Sequence, residues 1–472
     1  MKQEPEIIIS NKIRIKYPPD VLKTYLIKDL QVPNPKFETA QKNGYSTYGI
    51  PPYIRSFSIL PDDSLNIPTG YRVKLLELLE GLDIKANIKD VRHYTLPDFS
   101  IDSSAIKLRD YQAKAITSLV TSGTEGLLVA PAGSGKTVMG ISLVPMLGQT
   151  TLWLTHTRPL LEQALERLNS FLPGLPEDAV GVIGNGKWSI GKLFTVAMVQ
   201  TLVRRPEETH KLKGKFGLVI LDEAHHSPAT TFTNVLTMLD PHYMYGLTAT
   251  HIRRDGLHEL MYRVLGPVLY EVPLRDVKRH GGIIVPQVWI RRTNITCYSD
   301  NFQNILGDFI TNPKRNNIIV ADVLAEANRD NICAVMTERT KHADILYSMI
   351  SSKWAKTGIA TGAYSDKHNS AELERLRAGE ITVLVTTSAL LGEGFDHAPI
   401  NRGFICLPFR NMVKTEQIIG RIQRTAKGKD DAVIYDYVDS HSLCQHQFRN
   451  SGSSGCRYDI YTKLGCSIRE LM

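Results

Sequence analysis

The sequence predicts an α/β protein with two similar parallel-sheet domains in tandem, preceded by a small α+β domain. Short apolar runs rich in β-forming residues alternate with helical stretches between about residues 108 and 290, and the alternation starts again near residue 331. This alternation is typical of parallel sheets with helices on both faces. The first hundred or so residues carry a separate mixed pattern of strands and helices.

The elements can be assigned in chain order. Residues 1–105, the accessory domain, contain the strand-like runs EIIISNKIRIKY and YIRSFSIL and the helix-like runs DVLKTYLIKDL and YRVKLLELLEGL. Residues 106–292 contain GLLVA, TTLWLTH, LFTVAMV, FGLVILD and YMYGLTA as strands, and the helix RPLLEQALERLNSFL repeats leucine every three or four positions. Residues 293–440 contain NICAVMT, TGIAT, ITVLVTT, RGFICLP and AVIYDYV, separated by helical pieces such as SAELERLRAG. Residues 441–472 are predicted to be a C-terminal tail packed on this second domain.

The composition is that of a soluble globular protein, because 472 residues with 42% hydrophobic and 22% charged side chains can bury two or three cores. No run approaches the ~18 apolar residues that span a bilayer, and the N-terminus lacks the apolar stretch of a secretory signal. We therefore expect an intracellular protein, in the host cytoplasm if it is viral or bacterial. Six scattered cysteines without a CxxC pair argue against a disulfide framework or a zinc site. The formal charge of +8 is compatible with a polyanionic partner.

A phosphate-binding motif follows the apolar run GLLVA. Residues 130–137, APAGSGKT, fit the P-loop pattern, with alanine at the first glycine position. Small residues let backbone N–H groups surround phosphate oxygens, the lysine reaches the terminal phosphates, and the threonine hydroxyl ligates Mg²⁺. The predicted cofactors are ATP and Mg²⁺. The predicted phosphate-binding residues are Ala132, Gly133, Ser134, Gly135, Lys136 and Thr137.

Two acids and two histidines follow a second apolar run, FGLVIL, at residues 222–226. In a parallel sheet this run and GLLVA end at the same edge, so Asp222 can hold Mg²⁺ while Glu223 polarises the attacking water. His225 either couples the nucleotide to other elements or caps the turn.

These motifs resemble those of superfamily 2 helicases and translocases of the DEAH-box type. The resemblance covers about residues 108–440 and includes LRDYQ, LTHTRPLLEQ, TVAMVQTL, LTAT, TTSALLGEGFD and QIIGRIQR in the family's order. It implies that the two α/β domains are RecA-like. It also implies that Gln112 pairs with the adenine edge, assisted by Arg109, and that LTAT links the ATP state to the grip on nucleic acid.

The resemblance further implies catalytic groups in the second domain. Arg421 and Arg424 lie three residues apart, so on a helix they share one face and both reach the γ-phosphate as arginine fingers. Gly394 and Asp396 would lie opposite the ribose and phosphate, and Gln417 near the attacking water.

A set of residues in or beside these motifs contacts the sugar-phosphate backbone in relatives. Hydroxyl groups, arginine forks and helix N-termini suit a grip that is independent of base sequence. Each has an alternative structural role, since threonines at strand ends often cap helices. The predicted nucleic-acid contacts are Arg158, Thr201, Thr337, Arg339 and Thr386.

The combination of LRDYQ, DEAHH and LTATHIRRDG resembles double-stranded DNA translocases more than RNA helicases, and branch-migration helicases of tailed phages most. The excision-repair branch carries Arg-Glu-Asp where this chain has Arg253, Arg254 and Asp255, and the reversed central charge argues against that branch's duplex-melting role. The N-terminal region is similar to the small DNA-recognition domain that precedes such motors. We therefore expect an ATP-dependent DNA helicase or translocase that acts as a monomer on Holliday junctions and replication forks, by branch migration in recombination, repair or replication.

Three alternatives remain at this point. The motor of a restriction-type nuclease system would need a PD-(D/E)xK site, and Pro61-Asp62 followed by Asp83-Ile84-Lys85 satisfies the bare pattern. An ATP-gated clamp would bind DNA structures without unwinding them. An RNA substrate is the third alternative.

Overall fold

The computed structural model divides the chain into two compact units. The first comprises residues 1–131 and 135–273, and the second comprises residues 132–134 and 274–472. No helix in the described part of the chain is long and apolar enough to cross a membrane. The structure describes all residues except 1–3, 132, 225–228, 250–257, 300, 389, 391–398, 427, 450–455 and 472.

The N-terminal region forms a mixed five-stranded sheet with the order β5-β6-β2-β1-β7, and β3 pairs with β4 in a separate antiparallel ribbon. Isoleucines at alternate positions of β1 and β2 are buried, and they pack on leucines of the first and last helices. The strands are β1 (Glu6–Ile9), β2 (Ile13–Lys16), β3 (Gln31–Pro33), β4 (Tyr53–Arg55), β5 (Ser58–Ile59), β6 (Leu65–Ile67) and β7 (Asn87–Asp90). The helices are Asp20–Asp29, Pro35–Lys42, the 3₁₀ turn Thr69–Tyr71 and Arg72–Gly81.

The rest of the first unit is built on a second sheet with the order β11-β10-β12-β9-β13-β14-β8-β15. All neighbouring strands in it are parallel except the edge pair β10 and β11. Strands β8, β9 and β13 are buried at every position, as expected when helices cover both faces. The strands are β8 (Glu125–Val129), β9 (Thr151–Thr155), β10 (Val180–Gly184), β11 (Lys187–Trp188), β12 (Phe194–Met198), β13 (Leu218–Asp222), β14 (Tyr243–Thr248) and β15 (Val268–Glu271). The helices are Asp110–Ser122, Lys136–Leu147, Arg158–Phe171, the 3₁₀ turn Glu177–Ala179, Val199–Arg204, Pro206–His210, Ala229–Leu236 and His258–Leu265.

The second unit contains a sheet with the order β18-β19-β17-β20-β21-β16-β22, in which all neighbouring strands are parallel. The strands are β16 (Gln287–Arg292), β17 (Cys333–Thr337), β18 (Thr357–Ala360), β19 (Val383–Thr387), β20 (Arg402–Ile405), β21 (Val433–Val438) and β22 (Ser467–Leu471). The helices are Leu274–Arg279, Phe302–Thr311, Pro313–Ala327, Thr340–Ser351, Asp366–Arg377, Met412–Ile422, Ser442–Phe448 and Arg457–Lys463. The predicted fold class, two RecA-like parallel-sheet domains after a small α+β region, is confirmed.

Strands at the two ends of the second unit enter the same sheet. The predicted boundary between residues 292 and 293 places β16 in the first α/β domain, whereas β16 pairs with β21 and β22. Val288 and Ile290 on β16 are buried in the core of the second unit. Within residues 441–472, the Arg457 guanidinium bonds both oxygens of Asp436 on β21 at 2.8 Å.

Candidate functional site

A glycine-containing turn follows β8. Gly133 and Gly135 both have φ of +83°, a left-handed conformation that favours glycine, and Gly135 leads directly into the helix Lys136–Leu147. A Cβ atom built at Gly135 would come within 2.5 Å of the Gln112 side-chain nitrogen. The left-handed conformation therefore favours glycine here, and a larger residue would also displace the Gln112 amide.

The side chain of Lys136 lies against the acids that follow β13. Its ammonium is 3.5 Å from Oε1 of Glu223 and donates to the carbonyl oxygen of Ala130 at 3.4 Å. Strands β8, β14 and β13 are parallel neighbours, so their carboxyl ends meet at one edge of the sheet. The structure thus brings together Lys136, Asp222 and Glu223 as predicted from the sequence.

Asp222 is buried, with 7% of its surface exposed. Burial and, to a smaller extent, the neighbouring Glu223 charge raise the pKa of its carboxyl to about 7, and Lys136 opposes both. Glu223 has φ of +50°, and its backbone N–H donates to Oδ1 of Asp222 at 3.0 Å. The chain therefore turns sharply as the strand ends and places the two carboxyl groups side by side.

The residues of this edge fit a magnesium nucleotide. Two adjacent carboxyl groups that disfavour each other's charge would be relieved by a divalent cation, and Thr137 supplies a hydroxyl from the first turn of the helix after the P-loop. The helix N-terminus and the left-handed glycines provide backbone N–H groups for phosphate oxygens. The same donors and acids are those that bind Mg²⁺-phosphate in P-loop proteins.

The two residues predicted to recognise adenine are held together. The side-chain oxygen of Gln112 accepts from the backbone N–H of Arg109 at 2.9 Å, where the helix Asp110–Ser122 begins. Gln112 is buried beside Gly135, so it lies next to the P-loop.

The predicted catalytic groups of the second unit do not all lie on one helix. Gln417 and Arg421 lie on Met412–Ile422, but Arg424 lies past its end and forms an isolated bridge with Ile283. The prediction that both arginines share one helical face is therefore wrong. The terminal carbonyls have other donors: that of Ile422 accepts from the Lys429 ammonium at 2.5 Å, and that of Gln423 accepts from the Ile284 N–H at 2.7 Å.

Several predicted residues lie outside the part of the chain that the structure describes. They are Ala132 of the P-loop, His225, the triplet Arg253, Arg254 and Asp255, and the predicted nucleotide contacts Gly394 and Asp396.

A cleft of about 370 Å³ lies at the same sheet edge of the first unit and contains two predicted nucleic-acid contacts. Arg158 begins the helix after β9, and Thr201 lies on the helix after β12. The lining residues are Arg158, Asn185, Gly186, Met198, Thr201, Arg204 and Arg205.

Arg204 and Arg205 were not predicted, although the sequence contains a signal for them. Arg204 follows Thr201 by three positions, which places both on one side of the helix Val199–Arg204, and Arg205 is the residue directly after that helix ends. The Arg205 guanidinium also lies 5.5 Å from the centre of the Trp188 ring. The cleft is therefore more basic than the motif residues alone indicated.

The predicted contacts of the second unit are less exposed. Thr337 and Thr386 are buried, and the Thr337 hydroxyl is 2.8 Å from Nδ1 of His342. Arg339 is exposed at the start of the helix Thr340–Ser351 and donates to the side-chain oxygen of Gln303.

Fold and site together define a P-loop nucleoside triphosphatase with two RecA-like domains. Residues 105–253 match the family "Type III restriction enzyme, res subunit", and residues 315–426 match "Helicase conserved C-terminal domain". The chain belongs to the superfamily 2 helicases, which are ATP-dependent enzymes.

Individual proteins are similar over most or half of the chain. "Probable helicase D10" of Escherichia phage T5 is 24% identical over 92% of this chain and 90% of its own length. "DNA 3'-5' translocase XPB2" of Sulfurisphaera tokodaii is 31% identical over 50% of this chain, which spans about half of that protein. A fragment of a putative HsdR subunit of a type I restriction enzyme from Vibrio vulnificus has the same fold, with a TM-score of 0.57 and 18% identity over 97% of this chain and 84% of its own.

Proposed function

We propose that this protein is an ATP-dependent DNA helicase or translocase that remodels branched DNA, such as Holliday junctions and replication forks, by branch migration. One observation carries the motor part of the proposal. The ATP residues follow β8 and β13, and the basic cleft follows β9, β10 and β12, so both lie at the carboxyl edge of one parallel sheet. Hydrolysis at the ATP phosphates is thereby connected to the nucleic-acid contacts through short β-strands of one sheet.

The residues divide the chemistry among themselves. Lys136 neutralises the terminal phosphates, and Glu223 orients and polarises the attacking water. Thr137 and Asp222 would hold Mg²⁺, which would neutralise phosphate charge when bound. By resemblance, Gln417, Arg421 and Arg424 supply further polar and cationic groups to the γ-phosphate, and Gly394 and Asp396 contact the nucleotide.

The nature of the substrate is supported by the cleft and by the relatives. Three arginines and a threonine suit phosphate contacts that ignore base sequence. The Sulfurisphaera relative is named a DNA translocase, and the phage helicase matches this chain almost from end to end. These points favour DNA as the substrate. We further propose that the motor acts as a monomer in recombination, repair or replication.

A side-by-side ATPase measurement tests the proposal. We expect four-way and forked DNA to stimulate hydrolysis more than linear duplex or single strands, and RNA to stimulate it least. Greater stimulation by RNA would overturn the DNA assignment. Equal stimulation by linear and four-way DNA, together with no movement of a synthetic junction, would overturn branch migration.

A restriction-type motor is the second candidate, because residues 105–253 match a restriction-enzyme family. The nuclease pattern within this chain is not assembled as an obvious metal site. Asp62 bonds Arg14 at 2.6 Å and the hydroxyl of Ser64 at 2.6 Å, while Asp83 is exposed in the turn after the helix Arg72–Gly81. No group of three potential metal ligands occurs among the described residues. Cleavage of plasmid DNA with Mg²⁺ that is lost in Asp83→Ala would establish the nuclease.

An ATP-gated clamp would give a different result from either motor. Its ATPase would respond to DNA, but strand-displacement and junction-migration assays would both stay flat.

A further inference from the structure

An exposed tyrosine loop lies in the first unit, away from the P-loop and the basic cleft in sequence. It comprises residues 43–53, NGYSTYGIPPY, between the helix Pro35–Lys42 and β4. Tyr45 is 71% exposed, Tyr48 97% and Tyr53 47%. Large aromatic side chains usually bury most of their surface, so three exposed rings in eleven residues call for a ligand.

The backbone of this loop is anchored at both ends. Asn34 is buried, and its side-chain oxygen accepts from the N–H of Lys36 at 3.1 Å. Its side-chain nitrogen donates to the carbonyl of Pro51 at 2.8 Å, and the N–H of Tyr45 donates to the carbonyl of Ala40 at 2.8 Å. The loop is therefore held in one shape while its rings stay accessible.

The strands that flank the loop pack against the first α/β domain and not only against the small N-terminal sheet. Val32 on β3 is buried in the hydrophobic core of the first α/β domain, and Ile54 on β4 packs against the same core. A ligand bound at the loop would thus be held by the same compact unit that contains β8 and Lys136.

The charged residues of the segment that carries the rings are mostly positive. Lys36, Lys42 and Arg55 are exposed, and Glu38 is the single acid between residues 31 and 56. Aromatic rings interspersed with cations suit nucleic acid, because bases stack on the rings while phosphates meet the cations. Paired bases in a duplex are already stacked, so the ligand must present unpaired bases.

We propose that the tyrosine loop is a second DNA-binding site, a platform on which bases of a single strand stack against Tyr45 and Tyr48 with Lys36, Lys42 and Arg55 near the phosphates. The proposal rests on the DNA function proposed above and adds a contact for an unpaired strand at a branch. The site binds without ATP, because none of its residues belongs to the nucleotide edge.

Fluorescence anisotropy of the full chain without ATP tests the site with two probes of roughly 16 nucleotides. One is oligothymidine, and the other is an abasic strand with the same phosphates. The Tyr45→Ala/Tyr48→Ala variant should bind oligothymidine at least about fivefold more weakly and the abasic strand unchanged. The matched Tyr45→Phe/Tyr48→Phe variant, which keeps the rings, should bind both as the parent does. Both tyrosines are exposed, so neither change should disturb folding.

The other outcomes overturn the platform. These are parental binding of oligothymidine by the alanine variant, equal loss on both strands, or the same loss in the phenylalanine variant. Sedimentation of the same variants covers a protein partner, since a change of assembly state with unchanged DNA binding would assign the loop to a second copy. The ATPase comparison with branched DNA uses the parent protein and no tyrosine variant. A failure of the motor proposal can therefore be distinguished from a failure of the tyrosine-loop proposal.

Discussion

Glu223 adopts a backbone conformation that few residues other than glycine tolerate, and it does so where a water-activating acid is expected. The positive φ ends β13 abruptly and leaves the Glu223 carboxyl 3.5 Å from the Lys136 ammonium. The sequence predicted both side chains, because P-loop and acid motifs have fixed spacing around strand ends. It did not predict the strained turn, since no residue type in DEAH requires one.

Two substitutions separate the roles of these residues. Glu223→Gln keeps size and hydrogen bonding but loses the charge, so we expect ATP binding to persist and kcat to fall at least about 100-fold. Lys136→Ala removes the cation that meets the phosphates, so we expect both binding and turnover to be lost. Steady-state ATPase and equilibrium nucleotide binding measure the two effects. Substantial turnover in Glu223→Gln would remove this residue from the role of water-activating acid.

A buried histidine in the second unit makes stability depend on pH. His342 bonds Thr337 through Nδ1 and lies 3.0 Å from Oδ1 of Asn316 through Nε2, and burial with the Arg315 charge nearby lowers its pKa to about 3. The unfolded chain binds a proton at an ordinary histidine pKa of about 6.5, whereas the folded chain does not. The stabilisation is thus complete above about pH 6.5 and is lost as the pH falls toward 3.

His342→Gln should therefore flatten the pH dependence of stability between about pH 4 and 6.5. The measurement is the difference in thermal midpoint between parent and variant across that range. His280→Gln, an identical substitution at an exposed position of the same unit, is the control for the loss of a histidine. Parallel curves for parent and His342→Gln would contradict the assignment.

At the scale of elements, the sequence predicted strands and their edge well, because buried parallel strands are continuous apolar runs. It failed for Arg424, which lies past the helix end and pairs with Ile283, a residue remote in sequence. Lys429 and Ile284 take the carbonyls at the end of Met412–Ile422, and the chain leaves the helix there. The helical spacing of residues in the sequence does not show which groups bond the carbonyls at the helix end.

Lys429→Met tests whether this helix end positions Arg424. Lys429 is buried, and burial lowers the pKa of its ammonium to about 7, with the Arg424 charge acting in the same direction. Loss of its bond leaves the Ile422 carbonyl without this donor, so we expect kcat to fall while KM for ATP changes little. Lys463→Met is the matched control, because Lys463 is exposed and bonds Glu416 on the same helix. An unchanged kcat in Lys429→Met would exclude this positioning role.

The basic cleft makes a prediction about salt. Arg204→Ala and Arg205→Ala should each weaken DNA binding similarly for all sequences and reduce the slope of log affinity against log salt by about 1. Lys213→Ala is the control, because Lys213 is exposed just before β13, at the amino edge of the sheet. Titration of labelled DNA at several salt concentrations gives the slopes, and equal slopes in parent and arginine variants would remove the cleft from the DNA path.

At the scale of the molecule, the sequence predicted a separate accessory region and two α/β domains. It did not predict how the accessory region is joined to the first α/β domain. Arg72, Arg92 and Glu125 are far apart in the chain and ordinary in type, so no motif marks them. In the structure Arg72 and Arg92 both bond Glu125 at the start of β8, the strand that leads into the P-loop. Sequence patterns separate the two regions, whereas these ion pairs join them in the folded chain. The domain boundaries themselves therefore stay predictions.

This buried cluster predicts that the N-terminal region and the first α/β domain unfold together. The side chains of Glu125 and Arg92 are 0% and 4% exposed, and Asp90 shares the Arg92 guanidinium at 2.6 Å. Glu125→Gln leaves buried cations with too little negative charge, so the free energy of unfolding should fall by about 3 kcal/mol or more. Asp62→Asn, which breaks the exposed pair with Arg14, should cost at most about 1 kcal/mol. Urea unfolding followed by hydrogen exchange measures both. If Glu125→Gln released the N-terminal region at a urea concentration that left β8 protected, the two regions would unfold independently.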